Sequence, residues 1–364
     1  MQYMPQLDGI RAFAVAAVMF EHFGGEALNR FVPIGAGALG VNLFFTLSGF
    51  LITGLLLGAF TGTEHKAIAW RDFYVRRLLR LTPMLYMAVA ALAVMGIGAM
   101  ASTWHWHAFY ASNFLVAAGG DKTVFWSLAV EEQFYVLWPF VIAFAPRRWL
   151  VPVCAAMFLT AVLWKLSGLL FGLYRPAVNT ALLGNLEPLA VGCFLAIVSF
   201  RGGKPNQLEW FTPSRRRTYF HLAAGAFVFS VVVSLPGPNP LRYLVMDGAM
   251  AVAYGWLVLS AAAGFQGTLG TILVHPAAVY TGKISYGLYV VHNWTPDIIE
   301  KFAGPLPKYI AGPACLLLTF VVCGLSFKLI ETPIRNLGHR LPKPELASRP
   351  CTEATSSQKL SSSS

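Results

Sequence analysis

Charge is the scarcest ingredient of this sequence: Asp, Glu, Lys and Arg make up 12% of its 364 residues, against roughly 25% in an ordinary soluble domain. Apolar and aromatic residues reach 56%, so a soluble protein of normal make-up is excluded. Short segments of alternating apolar and polar residues, the mark of a membrane barrel, are also missing. The five cysteines, Cys154, Cys193, Cys315, Cys323 and Cys351, are odd in number and far apart. They offer neither a disulfide framework nor a zinc spacing, and no metal site is expected. No basic stretch precedes the first apolar run, which contains Arg11 itself, so a cleaved leader is not expected. There is no internal repeat.

What the chain has instead is long continuous apolar runs, at about 9–24, 40–59, 78–100, 124–145, 149–170, 178–200, 219–235, 243–264, 276–293 and 309–330. A helix needs about 20 such residues to cross a bilayer core of about 30 Å. The expected fold is therefore an all-α membrane protein with about ten transmembrane helices. Residues 1–340 form its membrane domain, and the Ser-, Thr- and Pro-rich tail 341–364 lacks the apolar content to fold. The connection 201–218 is polar and basic, and the prolines at 236, 238 and 240 mark a turn.

With ten spans, twenty of the 27 Lys and Arg residues fall on the side of the two termini, six on the other, and Lys165 within a span. The positive-inside bias then puts both termini in the cytoplasm. It also accounts for the net charge of +11 without a nucleic-acid partner.

Ionisable side chains inside apolar spans are costly and mark functional candidates. Arg11 and His22 are eleven residues apart, about three helical turns, so they share one face about 16 Å apart along the axis. Asp8 joins that stripe, whereas Glu21 points about 100° away from His22. In the fourth run Ser127, Glu131 and Tyr135 align at steps of four while Glu132 faces elsewhere. In the ninth run Ser285, Tyr289 and His292 align. Asn42, Thr46, Gly49 and Thr53 also align, and small or hydroxyl residues at that spacing are common helix-packing glue. Arg71, Arg76, Arg77 and Arg80 lie in a connection expected to be cytoplasmic, where arginine forks suit phosphate oxygens as well as anionic lipid headgroups. Trp104, His105, Trp106 and His107 read as an interfacial belt. Lys165, Glu187 and Asp247 have no partner that spacing can assign.

These segments together resemble the acyltransferase-3 family of bacterial integral membrane acyltransferases. The matching stretches are Leu7-Asp8-Gly9-Ile10-Arg11 with His22, residues 40–52, Arg77-x-x-Arg80 with Pro83, residues 126–135, residues 284–292, and Glu331-x-Pro333-x-Arg335. They run in family order over nearly the whole chain. The resemblance implies an acyl-CoA-dependent O-acyltransferase of the bacterial inner membrane. It would move a group, commonly acetyl from acetyl-CoA, to a hydroxyl of a glycan, lipid-linked saccharide or small molecule. Carried over by position, His22 is the catalytic base, with Arg11 and Glu131 in the catalytic centre. Arg76, Arg77, Arg80 and Ser127 would bind the donor, and Asp8, Tyr289, His292 and Glu331 the acceptor. Asn42 stands where the family often has Asp, and Ala12-Phe13 depart from the usual pair after the arginine. A tail of this length is too short for the extra domain that many relatives carry.

A different class of function stays open on the residues alone. A secondary transporter would use His22, Glu131, Glu187 and Asp247 as a proton relay, although the inverted repeats common in transporters are not found.

Overall fold

The computed structural model describes residues 3–24, 35–61, 66–120, 123–200, 208–235 and 240–339. The tail 341–364, the start of the basic connection at 201–207 and the prolines at 236 and 238 lie outside the described residues. Among those described, the fold is entirely helical, with no strand.

In chain order the helices are α1 (Pro5–Phe23), α2 (Ala36–Thr61), α3 (Lys66–Val94), the short α4 (Met100–Ala108) and α5 (Ser112–Ala117), then α6 (Phe125–Phe144) and α7 (Arg147–Leu170). They continue with the short α8 (Arg175–Thr180), α9 (Leu186–Val198), α10 (Pro213–Val233), α11 (Pro240–Ala263), the short α12 (Gly267–Val274), α13 (Pro276–Val291), α14 (Thr295–Ala303), α15 (Lys308–Ser326) and α16 (Thr332–His339). Every one of the ten apolar runs carries a helix. Among the described residues, six stretches are long and apolar enough to cross a membrane: Ala36–Thr61, Ala67–Val94, Phe125–Phe144, Arg147–Leu170, Arg242–Ala263 and Tyr309–Leu337. The remaining runs fall short for local reasons. α9 has 13 residues and α13 has 16, while α1 carries Asp8, Arg11 and Glu21.

Where boundaries differ from the apolar runs, charge is the cause. The third run begins at 78, but its helix starts at Lys66, because the arginine-rich segment before the run is itself helical. Arg77 and Arg80 therefore sit on a rigid rod rather than in a loop. The last long helix passes through a π-helical turn at Phe327–Glu331 before α16. Such bulges insert an extra residue and re-aim the side chains around them.

Helix α1 is the hub of the bundle, packed against α2, α11, α12, α13 and α15. Close approach is what small residues allow between membrane helices. A side chain on Gly40 of α2 would run into the backbone of Ala14, and one on Gly282 of α13 into the backbone of Asp8. The two helices thus touch α1 at its main chain, which fixes its rotation and depth. Around it the core divides into three clusters. One gathers Val15, Val18 and Met19 of α1 with α3, α6 and α13. Another joins Leu7, Ile10 and Ala14 to α2 and α11. The third packs α2, α6, α7 and α9 on one another. Large apolar side chains such as Phe13, Phe144, Leu170, Phe229 and Leu317 point outward, as a hydrocarbon surrounding requires.

Replacing Gly282 by Val must push α13 off α1, and overpacking of this kind costs about 1–3 kcal/mol. Thermal unfolding in detergent should show a clear drop for Gly282→Val. Gly225 of α10, whose surroundings are open, should accept Ala without loss.

Candidate active site

Two cavities lie end to end along α1. The first, about 60 Å³, opens among Arg11 of α1 and Arg77 and Arg80 of α3. Three guanidinium groups converge here because α3 continues as a helix through its charged start. Asp8 holds Arg11, and aromatic rings lie against Arg77. Asp8 pairs with Arg11 at 3.7 Å, one turn earlier on α1, and accepts a hydrogen bond from the Tyr3 hydroxyl at 2.8 Å. On α6, Glu131 accepts from the Ser48 hydroxyl at 2.8 Å and from the Tyr135 hydroxyl at 3.3 Å, and Tyr135 also donates to Ser48 at 2.8 Å. The Arg77 guanidinium lies 4.7 Å from the centre of the Tyr135 ring, close enough for a cation–π contact. A cationic pocket with a hydrogen-bonded carboxylate at its side can take a phosphate-bearing ligand, since arginine forks match phosphate oxygens.

The second cavity is larger, about 840 Å³, and is lined by His22, Glu21, Asn42, Trp126, Lys165, Arg175, Arg242 and Asp247 among others. Its wall contains an ion cluster that spacing could not assign. Lys165 of α7 donates to Glu187 of α9 and, at 2.6 Å, to Asp247 of α11. The Asn42 amide donates to the other Asp247 oxygen at 3.2 Å. Lys165 and Glu187 are 2% and 0% exposed, so each charge depends on its partner. The three come from helices 22 and 82 residues apart in sequence, which no local pattern reveals. Glu21, set away from His22 as its helical position requires, accepts from the Gly37 backbone N–H at 2.6 Å. It ties the end of α1 to the start of α2, where the helix dipole favours an anion.

The two cavities adjoin. They share Val41 and Tyr289, and Tyr289 forms the partition. Its hydroxyl and that of Ser127 lie 2.5 Å apart, and both reach the Val124 carbonyl, at 3.2 and 3.0 Å. Arg11 therefore faces one chamber and His22 the other, with a hydrogen-bonded phenol between them.

The other expected site residues fall differently. Arg76 is about half exposed, pairs with Asp72 at 3.8 Å, and lines neither cavity: it shares a face with Arg80 but lies one turn nearer the start of α3. Asp8 orients Arg11 and does not line a cavity. His292 is fully buried behind His22, their ring centroids 4.9 Å apart. Glu331 lies in the π-helical turn, accepting from the Ser326 hydroxyl at 3.3 Å, and lines neither cavity. His107, read as part of a belt, turns inward and bonds Ser112 at 2.8 Å and Thr103 at 3.2 Å. Among the described residues, no group of three or more His, Cys, Asp or Glu side chains converges as metal ligands would. Nor are the acids of the supposed relay strung together: Glu131 opens on the arginine cavity, whereas Glu187 and Asp247 are bound to Lys165.

An all-helical membrane protein with a cationic chamber and an imidazole chamber back to back has the plan of an integral membrane acyltransferase. Residues 4–328 match the acyltransferase domain family, and the chain belongs to that family. It is similar to the peptidoglycan O-acetyltransferase OatA of Listeria monocytogenes, at 27% identity over 93% of this chain and 56% of that protein. It is likewise similar to the putative peptidoglycan O-acetyltransferase YrhL of Bacillus subtilis, at 28% identity over 93% and 56%. The O-acetyltransferase OatA of Staphylococcus aureus matches at 27% identity over 94% and 59%. The chain thus spans a little over half the length of these curated relatives. No solved structure matches it.

Removing Lys165 leaves the buried Glu187 and the partly exposed Asp247 without a counter-charge, and breaking a buried pair in this way costs about 3–5 kcal/mol. Lys165→Met should accumulate poorly and unfold at lower temperature in detergent. The triple change Lys165→Met, Glu187→Gln, Asp247→Asn, which removes every buried charge, should recover part of the loss.

Proposed function

We propose that this protein is an O-acyltransferase that takes an acyl group, most simply acetyl, from acyl-CoA at the arginine cavity and delivers it to a glycan hydroxyl in the His22 cavity. The observation that carries this reading is the division of labour along α1: Arg11 faces one chamber, His22 the next, and Tyr289 separates them. The names of the relatives support acetyl as the group and a cell-wall glycan as the acceptor. A lipid-linked saccharide or a small hydroxylated molecule is chemically equivalent at the point of attack.

In this reading the chain crosses the bacterial inner membrane about ten times with both termini in the cytoplasm, and the arginine end faces the cytoplasm, where acyl-CoA is made. The ten helices over the ten apolar runs and the surplus of Lys and Arg on one side support it. Arg77 and Arg80 hold the coenzyme A phosphates. Arg11, kept upright by Asp8, guides the thioester arm toward Tyr289 and Ser127, while Glu131 balances the clustered positive charge. Arg76 and Glu331 border this region without entering it.

The acceptor hydroxyl is a weak nucleophile at neutral pH. His22 takes its proton as it attacks the thioester carbonyl, a contribution of about 10² to 10⁴ in rate. Bringing donor and acceptor together where the chambers meet, beside Tyr289, adds orientation to this step. The Tyr289 hydroxyl stands where the chambers meet, and on releasing the Val124 carbonyl it can hydrogen-bond the oxygen on which negative charge develops. Loss of such a donor costs about 10² to 10³ in turnover.

The test is mass spectrometry of envelope glycans from cells carrying wild type or variants, each checked for accumulation in the membrane. His22→Ala and Arg11→Ala should abolish the added acetyl mass while the protein still inserts. Full activity of His22→Ala would refute the base assignment. In membrane assays Arg77→Ala should raise the KM for acetyl-CoA with little change in kcat. Tyr289→Phe should do the reverse, lowering kcat by about 10²-fold.

A further inference from the structure

His292 follows the last turn of α13 and is 0% exposed. Its Nδ1 faces two backbone carbonyls, that of Tyr289 at 2.8 Å and that of Leu288 at 3.2 Å. A carbonyl oxygen only accepts, so Nδ1 carries the hydrogen, and in the neutral ring Nε2 presents a bare lone pair. That Nε2 makes no hydrogen bond within the described protein. A buried acceptor without a donor requires an explanation.

Three rings pack on His292: Phe23 at 6.2 Å, Tyr289 at 5.5 Å, and His22 at 4.9 Å with the two imidazoles at 77° to each other. Phe23 has no donor. The Tyr289 hydroxyl is engaged by Ser127 and the Val124 carbonyl. His22 is left as the neighbouring ring with an N–H to give.

We propose that His292 is the positioning residue of His22: its Nε2 accepts the His22 N–H and so leaves the other His22 nitrogen bare toward the cavity. The inference rests on the acyltransferase reading above. A neutral imidazole without such a partner divides itself between two tautomers, and the hydrogen bond on one nitrogen decides which nitrogen is the base. The two rings are in edge-to-face contact, and the bond forms on rotation of the His22 ring. As the C–O bond of the product ester forms, the hydroxyl proton passes to the bare nitrogen of His22. The C–S bond breaks, and the thiolate leaves with the proton that His22 returns. His292 makes and breaks no bond with substrate. It holds the ring and stabilises the imidazolium while His22 carries both protons, the part that a carboxylate plays in hydrolase triads.

The experiment measures incorporation of labelled acetate from acetyl-CoA into alkali-labile ester, in membranes that contain the full chain and their own acceptors. Wild type must incorporate label and His22→Ala must not. A wild type without incorporation removes the acyltransferase reading and this inference with it; an active His22→Ala removes the base assignment, and this inference with it. Asn at position 292 keeps a donor for the two carbonyls but places nothing at Nε2, whereas Gln restores a polar atom there. His292→Asn should lower kcat about 10- to 100-fold, the usual effect of losing a partner behind a functional histidine. The KM for acetyl-CoA and the unfolding temperature should stay unchanged, and His292→Gln should recover several-fold of the loss. Wild-type kcat in His292→Asn alongside an inactive His22→Ala overturns the inference and leaves the base assignment standing. Equal impairment of Asn and Gln, or a loss of activity that tracks a lowered unfolding temperature, also overturns it, because the role would then be structural.

Discussion

The rigid spacing of α1 governs the architecture. A helix cannot stretch, so a guanidinium and an imidazole eleven residues apart stand at a set separation and on one face. The rest of the bundle is arranged to keep that face where it is. Gly40 and Gly282 bring α2 and α13 onto its main chain, Glu21 fastens its far end to α2, and Asp8 steadies Arg11 at the near end. Were α1 free to rotate by one residue, about 100°, neither cavity would keep its functional group.

The second constraint is electrical. Charges inside a bilayer persist only when partnered, and this protein sorts them into two separate groups. Cations dominate the chamber of Arg11, Arg77 and Arg80, with Glu131 and Asp8 nearby. The other chamber holds a compensated cluster, Lys165 with Glu187 and Asp247, that shapes the wall without offering an open chain of acids. The arrangement suits a polyanionic donor on one side and a hydroxyl-rich acceptor on the other. It suits a proton wire less well, because the acids that would form one are divided between the chambers.

Much of this was legible in the sequence because it is local. Periodicity alone put Arg11 and His22 on one face and lined up Ser127, Glu131 and Tyr135, all three of which border the arginine cavity. The ten apolar runs marked ten helices, and six stretches meet the length and apolarity of a membrane span. What escaped detection depends on contacts between distant segments. The Lys165 cluster draws on three helices. The partition needs Tyr289 and Ser127, 162 residues apart, to meet. That Arg76 stays outside the cavity that Arg80 lines, one turn further along the same face, follows from how α3 packs, and two backbone carbonyls dictate which His292 nitrogen is bare. The family resemblance supplied an order of motifs, and the fold supplied the reason those motifs belong together.

The central claim is directional: donor on the arginine side, acceptor on the histidine side. Inverted membrane vesicles, which expose the cytoplasmic face, and right-side-out vesicles from the same cells can each be given labelled acetyl-CoA from outside. Ester-bound label should then be counted in the glycan fraction. The account predicts incorporation in inverted vesicles and background in right-side-out ones. Incorporation only in the right-side-out preparation would contradict it.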